Sequence, residues 1–195
     1  MFVKIFDRKI MTNIAIKIIF SFLVVLFISH AALCGNLNDD LIDAAKNGDV
    51  EKVKILIAKG ADINEKDPYG STAIIYAVES GNCDCVKILI KYGADTNIRN
   101  IEAWTPLLMA TKARNVAIVE TLLDNGADPN LKGLCGNWTP LMKAVYDNNP
   151  EVAQVLLTKN ADINAQNDHG KTALDVAKAL ERNDMIELLE KAGAK

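Results

Sequence analysis

The residues best suited to chemistry in this chain are two neighbouring cysteines and a histidine. Cys83 and Cys85 flank Asp84, and His169 precedes Gly170. A structural zinc site requires four nitrogen or sulfur ligands, and no second pair of ligands lies near the two cysteines. A hydrolase would need a nucleophile and an orienting carboxylate near His169, and the aspartates and glutamates mostly occupy caps and solvated helix faces. We therefore predict no catalytic residue, no metal site and no cofactor.

The segments that carry these residues repeat along the chain. A Gly-Ala-Asp or Asn-Ala-Asp pattern begins at residues 60, 93, 126 and 160, in steps of 33, 33 and 34 residues. Two residues after each pattern comes an asparagine: Asn64, Asn97, Asn130 and Asn164. A fixed period of this size predicts a solenoid of stacked units, which offers an extended surface and usually no enclosed catalytic cavity.

Each period contains signals for two short helices. Threonine followed by proline or alanine predicts an N-cap and a first helical turn, at Thr72, Thr105, Thr139 and Thr172. A second set of caps precedes apolar residues at helical spacing, at Asp49, Asn82, Asn115 and Asn149. The glycine or asparagine of the repeated pattern then predicts a left-handed stop at the end of the second helix.

These residues resemble the ankyrin repeat family, through the Thr-Pro-Leu motif, the Gly-Ala-Asp-x-Asn motif and the period of 33. The resemblance implies an all-α solenoid of helix-turn-helix units over residues 35–195, with the terminal units acting as caps. The five units are approximately 36–66, 67–99, 100–132, 133–166 and 167–195. The chain departs from the family where the glycine between paired helices, present as Gly48 and Gly81, becomes Arg114, Asn148 and Glu181. We expect these changes to lower stability without altering the fold.

The resemblance also implies a binding surface, because the leading turns and the exposed sides of the first helices form a concave face in this family. The equivalent positions here are Tyr69, Ser71, Glu79, Ile101, Glu102, Trp104, Lys112, Trp138, Tyr146, Asp147, His169 and Lys171. Exposed tryptophan and tyrosine are enriched at binding hot spots. Trp104 and Trp138 should lie one repeat apart, and they either contact a partner or brace the stack. The turn before Trp138 is one residue longer than the others, and an insertion at a turn tip maps to the binding side.

Alignment of the repeats places the cysteines. Cys85 occupies a slot held by Ile118 and Val152 in later units, which predicts a core position. Cys135 lies in the leading turn of the fourth unit, two repeats away from Cys85. A disulfide needs Cα atoms within about 7 Å, so we expect no intramolecular bridge and a free, exposed thiol at Cys135.

The N-terminus predicts export. Residues 1–17 hold four basic residues and one acidic residue, residues 18–28 are apolar except Ser21, and small residues follow at Ser29, Ala31 and Ala32. This is the pattern of a secretory signal peptide, here assigned to residues 1–34, and it is too short for a membrane span. Bacterial lipoproteins carry a lipidated cysteine at this place, so Cys34 offers an alternative membrane anchor. Leu33 before it is larger than that pattern favours.

The charge of the chain limits the classes of partner that it could bind. Without residues 1–34 the chain holds 18 basic and 24 acidic residues, a formal charge of −6. Such a chain lacks the positive face that phosphate contacts need, so we expect no nucleic acid. We predict an exported, periplasmic or secreted monomer without a membrane span in its mature part. Its function would be to bind a protein partner, with a membrane-tethered scaffold or a secreted factor acting on a host protein as alternatives.

Expression of the full chain in a bacterium with an export pathway should give a shortened protein that begins at Ala32, after cleavage behind Ala31, or at Gly35, after cleavage behind Cys34. N-terminal sequencing reads the cleavage site. Detergent partitioning of the same sample distinguishes the alternative, since a lipidated Cys34 would carry the protein into the detergent phase and Cys34→Ser would abolish that shift. An uncleaved chain in the aqueous fraction would contradict the signal-peptide prediction.

Overall fold

The computed structural model describes residues 37–133 and 136–194. The signal peptide predicted for residues 1–34, the candidate anchor Cys34 and the exposed thiol predicted for Cys135 lie outside the described residues, and all three stay predictions.

The described residues contain ten helices arranged as five pairs. The first helices of the pairs are α1 (Leu37–Asn47), α3 (Ala73–Glu79), α5 (Pro106–Lys112), α7 (Pro140–Tyr146) and α9 (Ala173–Ala179). The second helices are α2 (Val50–Ala58), α4 (Cys83–Lys91), α6 (Val116–Asp124), α8 (Pro150–Thr158) and α10 (Asn183–Lys191). Each helix packs against its pair partner and against the equivalent helix of the next unit. The predicted all-α solenoid is confirmed.

Side-chain caps begin most of these helices where the sequence places them. The Thr105 hydroxyl accepts the Leu108 N–H at 3.1 Å, and the Asn115 side chain accepts the Ile118 N–H, also at 3.1 Å. Asn82 is an exception, because its amide instead donates to two carbonyls of the preceding unit, at 3.1 and 3.0 Å. A predicted cap therefore serves as a cross-link between units.

The second helices end at left-handed residues, as predicted. Gly60, Gly93 and Gly126 have φ of 92°, 95° and 89°. The links inside the helix pairs are left-handed too, and in units three to five they are residues that carry a Cβ: Arg114, Asn148 and Glu181, at φ of 57°, 52° and 54°. A left-handed L-residue costs about 1–2 kcal/mol, and less for asparagine, which supports the expected loss of stability at these links.

One apolar core runs through the stack. Its largest fully buried side chains come from both helices of successive units and include Ile74, Leu107, Ile118, Leu141 and Met185. Cys85 is completely buried among them, so its predicted core position is confirmed. Because each unit buries its apolar side only against its neighbours, the stack itself is what creates the core.

The repeated asparagines connect the units through a ladder of hydrogen bonds. Asn64 Oδ1 accepts the Asp95 N–H at 2.8 Å, while its Nδ2 donates to the Gly93 carbonyl at 3.1 Å. Asn97 makes the same pair of bonds to Asp128 and Gly126, at 2.7 and 2.9 Å. Each asparagine thus fixes the register of the following unit at the place where its second helix has just ended.

Replacement of Asn97 by alanine should lower the free energy of unfolding by about 1–2 kcal/mol, because it removes two hydrogen bonds between units. Urea unfolding followed by circular dichroism measures the change. The matched control is Asn125→Ala, since the Asn125 amide donates only within its own unit, to the Thr121 carbonyl at 2.8 Å. Equal losses of unfolding free energy in the two variants would show that the hydrogen bonds between units stabilise the fold no more than an exposed hydrogen bond within one unit.

Candidate functional site

The predicted binding residues belong to the turn face, which comprises the leading turns together with the exposed sides of α3, α5, α7 and α9. Each turn in units two, three and five is closed by one side chain. Asp67 Oδ1 accepts the N–H groups of Tyr69 and Ser71 at 2.9 and 2.8 Å. Asn100 and Asn167 hold their own turns through equivalent pairs of bonds. These polar side chains therefore fix the tips on which Tyr69, Ile101 and His169 project.

The longer fourth turn is closed differently. Gly133 and Trp138 exchange two backbone hydrogen bonds at 3.0 and 2.9 Å, an isolated antiparallel bridge. Gly133 also packs tightly onto the third turn, since a Cβ there would lie 2.2 Å from the Ala103 carbonyl oxygen. The bridge sets Trp138 at the base of α7.

Neighbouring turns are bonded to one another, so the turn face forms a connected surface. The Ile101 N–H donates to the Tyr69 carbonyl at 3.0 Å, and the Asp168 N–H donates to the Gly136 carbonyl at 3.0 Å. Asn137 Nδ2 also donates to Asp168 Oδ1 at 2.7 Å. These bonds hold the tips of adjacent units in register.

Groove one lies between units two and three and has a volume of about 180 Å³. It is lined by Tyr69, Ser71, Ile75, Tyr76, Glu79, Asn100, Ile101, Glu102 and Met109. Tyr69 and Ile101 stand at its rim, 65 % and 70 % exposed. Ser71 lines the groove although it is only 4 % exposed, because its N–H donates to Asp67 Oδ1 and the turn covers it.

Tyr76 is fixed at the floor of groove one. Its hydroxyl donates to Asp67 Oδ2 at 2.6 Å, so a single carboxylate closes the turn with one oxygen and holds the phenol with the other. This hydrogen bond, followed by partial burial and by the carboxylate charge, raises the pKa of Tyr76 to about 12. The phenol therefore stays protonated and rigid over the physiological range.

Groove two lies between units four and five and has a volume of about 340 Å³. It is lined by Trp138, Tyr146, Asn167, His169, Lys171, Asp175, Val176, Ala179 and Leu180. Trp138 and Tyr146 meet edge to face, with ring centres 5.5 Å apart and planes at 88°. These rings line the groove together with the aliphatic side chains of α9 and the residue that follows it, and Tyr146 and Leu180 remain 51 % and 38 % exposed.

Three predicted site residues line neither groove: Trp104, Lys112 and Asp147. Trp104 is half-buried against the core, with Lys112 Nζ 4.9 Å from its ring centre. Asp147 is engaged by an ion pair, since Lys143 Nζ lies 2.7 Å from its carboxylate, and its carbonyl accepts a bond from the Arg114 guanidinium. Trp138 packs against the core too, but it also lines groove two. The structure thus brings together Trp138, Tyr146, His169 and Lys171.

Several groove residues escaped the sequence analysis. Tyr76, Val176, Ala179 and Leu180 belong to first helices or to the residues that follow them. The available signal was Leu180, an apolar residue in a slot that Ser80 and Asp147 hold in earlier units. From the fifth unit the sequence predicts only the turn residues His169 and Lys171, and the contribution of its first helix to groove two was missed.

The structure shows where the candidates for metal binding and catalysis lie among the described residues. No group of three or more histidines, cysteines, aspartates or glutamates within them could hold a metal ion. Burial raises the pKa of the Cys85 thiol, which favours its inert, protonated form. His169 is exposed at a turn tip, where its N–H donates to Asn167 Oδ1. None of the helices in the described part has the length and apolar character to cross a membrane.

Comparison with known families matches this geometry. Sequence models for ankyrin repeats match residues 41–133, as a set of three copies, and residues 122–177, as a set of many copies. The chain belongs to the ankyrin repeat family. Ankyrin repeats are protein-interaction modules and are typically non-catalytic. A search of curated proteins finds no significant match to this chain.

The bond between Tyr76 and Asp67 should make the ankyrin stack sensitive to alkaline pH. A tyrosine whose pKa is raised in the folded state stabilises that state below its unfolded pKa of 10, and the contribution is lost as pH rises towards about 12. Urea unfolding between pH 9 and pH 12 should therefore show that the free energy of unfolding falls as pH rises. This fall should be smaller in Tyr76→Phe. An identical pH dependence in both proteins would contradict the assigned role.

Proposed function

We propose that this ankyrin repeat chain is an exported, non-enzymatic monomer that binds a protein partner through its turn face, the surface that corresponds to the concave face of the family. The observation that carries the proposal is groove two, where an aromatic pair and aliphatic side chains leave a cavity of about 340 Å³ open to solvent. Large aromatic side chains in such clefts supply much of the energy of protein–protein binding. Groove one offers a second contact two units away.

The alternatives share this surface and differ in where the protein acts. A scaffold held to a membrane through Cys34, or a secreted factor that acts on a host protein, would still use the same grooves. The cleavage and detergent measurements decide between a free and a tethered chain. The binding experiment below tests the surface itself.

Serine substitutions at Tyr69 and Tyr146 should each weaken partner capture about tenfold or more, because truncation of a hot-spot aromatic commonly costs over about 1.4 kcal/mol. The bait is the immobilised full chain, the source is the envelope fraction of the native cell, and captured proteins are quantified by mass spectrometry. Circular dichroism verifies that each variant is folded.

The matched controls lie on the second-helix side of the stack. Ile55 and Tyr92 are 52 % and 50 % exposed, close to the 51 % of Tyr146, so Ile55→Ser and Tyr92→Ser remove comparable apolar area elsewhere. These variants should retain capture. If they lost the captured protein while the Tyr69 and Tyr146 variants kept it, the partner would bind the second-helix side and the proposal would fail.

A further inference from the structure

The second helices carry charge unevenly along the stack. The first two, α2 and α4 with the residue that follows each, hold five lysines and two acidic residues. The other three, α6, α8 and α10 counted in the same way, hold two lysines and six acidic residues. A basic patch therefore lies on units one and two of a chain that is acidic as a whole. It comprises Lys54, Lys59, Lys87 and Lys91, together with Ile55 and Tyr92.

Packing of the stack does not require these lysines. Lys54 and Lys87 share one repeat slot, which holds Glu120, Gln154 and Glu187 in the later units. None of these five residues is buried. The slot thus accepts either charge or none, so the lysines of units one and two have a cause other than the fold.

Two apolar side chains stand exposed among the lysines. Ile55 and Tyr92 are 52 % and 50 % exposed. Lys91 Nζ lies 5.9 Å from the centre of the Tyr92 ring. Lys59, Lys87 and Lys91 form no ion pair with a described residue. The basic patch therefore presents free ammonium groups around one aliphatic and one aromatic side chain.

This combination of residues fits the surface of an anionic bilayer. Clustered lysines are attracted to anionic lipid headgroups. Tyrosine is enriched at the level of the headgroups, because its ring is apolar and its hydroxyl is polar. A lysine can lay its aliphatic stem along an apolar surface while its ammonium group stays in water. A bilayer would thus accommodate the lysines, Ile55 and Tyr92 together.

The position of the basic patch in the chain supports the same occupant. In the tethered alternative the anchor is Cys34, and α1 begins at Leu37, only three residues later. Units one and two would then be the units nearest to the membrane. A single acyl chain gives only marginal membrane binding, and a polybasic patch is one of the second signals that make anchoring stable.

We propose that the basic patch docks on a bilayer of anionic phospholipid. The four lysines contact the lipid phosphates, and Ile55 and Tyr92 enter the headgroup region. The turn face is built from the leading turns and the first helices, so the bilayer and a protein partner occupy different sides of the stack. The inference goes beyond the proposed function and does not depend on it.

The test measures co-sedimentation of the exported protein with vesicles of phosphatidylglycerol and phosphatidylcholine, or of phosphatidylcholine alone. The native protein should prefer the anionic vesicles. The combined variant Lys59→Gln, Lys87→Gln and Lys91→Gln should weaken that binding about tenfold or more, since each lysine near an anionic surface contributes to the attraction. Lys54 is left in place because its Nζ lies 2.7 Å from the Glu51 carboxylate. An ionic strength of about 1 M, where the Debye length is about 3 Å, should release the native protein.

The matched control removes the same charge from exposed lysines outside the second helices. Lys46→Gln, Lys66→Gln and Lys178→Gln combined should keep the binding to anionic vesicles. Ile55→Ser combined with Tyr92→Ser should weaken it, and circular dichroism verifies that every variant is folded. A lipid anchor or a retained signal peptide would bind both kinds of vesicle, so the preference for anionic lipid reports on the basic patch alone.

Three results would overturn the inference. The first is equal binding to anionic and neutral vesicles, or binding to neither. The second is an equal loss in the two lysine variants, which would assign the binding to overall charge. The third is self-association without vesicles that the patch variant abolishes, because the basic patch would then bind the acidic second helices of another copy. Partner capture with the Tyr69 and Tyr146 variants still judges the turn face separately.

Discussion

The constraint on which this structure depends is that no helix pair can bury its apolar side alone. Side chains such as Ile74, Leu107 and Leu141 lose contact with water only because another unit lies above or below. The asparagine ladder then selects one register among the ways in which two apolar sides could meet. Asn64 and Asn97 bond to the backbone just after the next second helix, so a slipped unit would leave those groups unpaired. Apolar burial drives the stacking, and the hydrogen bonds of the asparagine side chains fix the alignment of the units.

The turn face inherits its geometry from that alignment. The grooves are gaps between consecutive first helices, and their rims are turns bonded tip to tip, as between Tyr69 and Ile101. A partner would meet side chains whose positions are fixed before binding, which lowers the entropic cost of association. Of the residues considered for chemistry, Cys85 lies in the core, and His169 lies at a turn tip beside groove two.

Sequence reasoning predicted the elements of the fold well, because each is set by local chemistry that recurs in every unit. Threonine caps, left-handed stops such as Gly93 and the core slot of Cys85 needed only the period and the properties of single residues. It did less well where a side chain acts across units. Asn82 was predicted as a cap and links two units instead, and the burial of Ser71 beneath its own turn was not predicted. The aliphatic residues of groove two were missed because a cleft needs the relative position of two helices.

The left-handed links are distributed unevenly along the stack. The first two helix pairs turn at Gly48 and Gly81, whereas the later ones turn at Arg114, Asn148 and Glu181. In a linear array stability is a sum over units and their interfaces, so the backbone strain of Arg114, Asn148 and Glu181 is concentrated in the C-terminal units. That end should fray first in native-state hydrogen exchange. Groove two lies at that end, so a partner bound there would stabilise the final helices and slow their local unfolding.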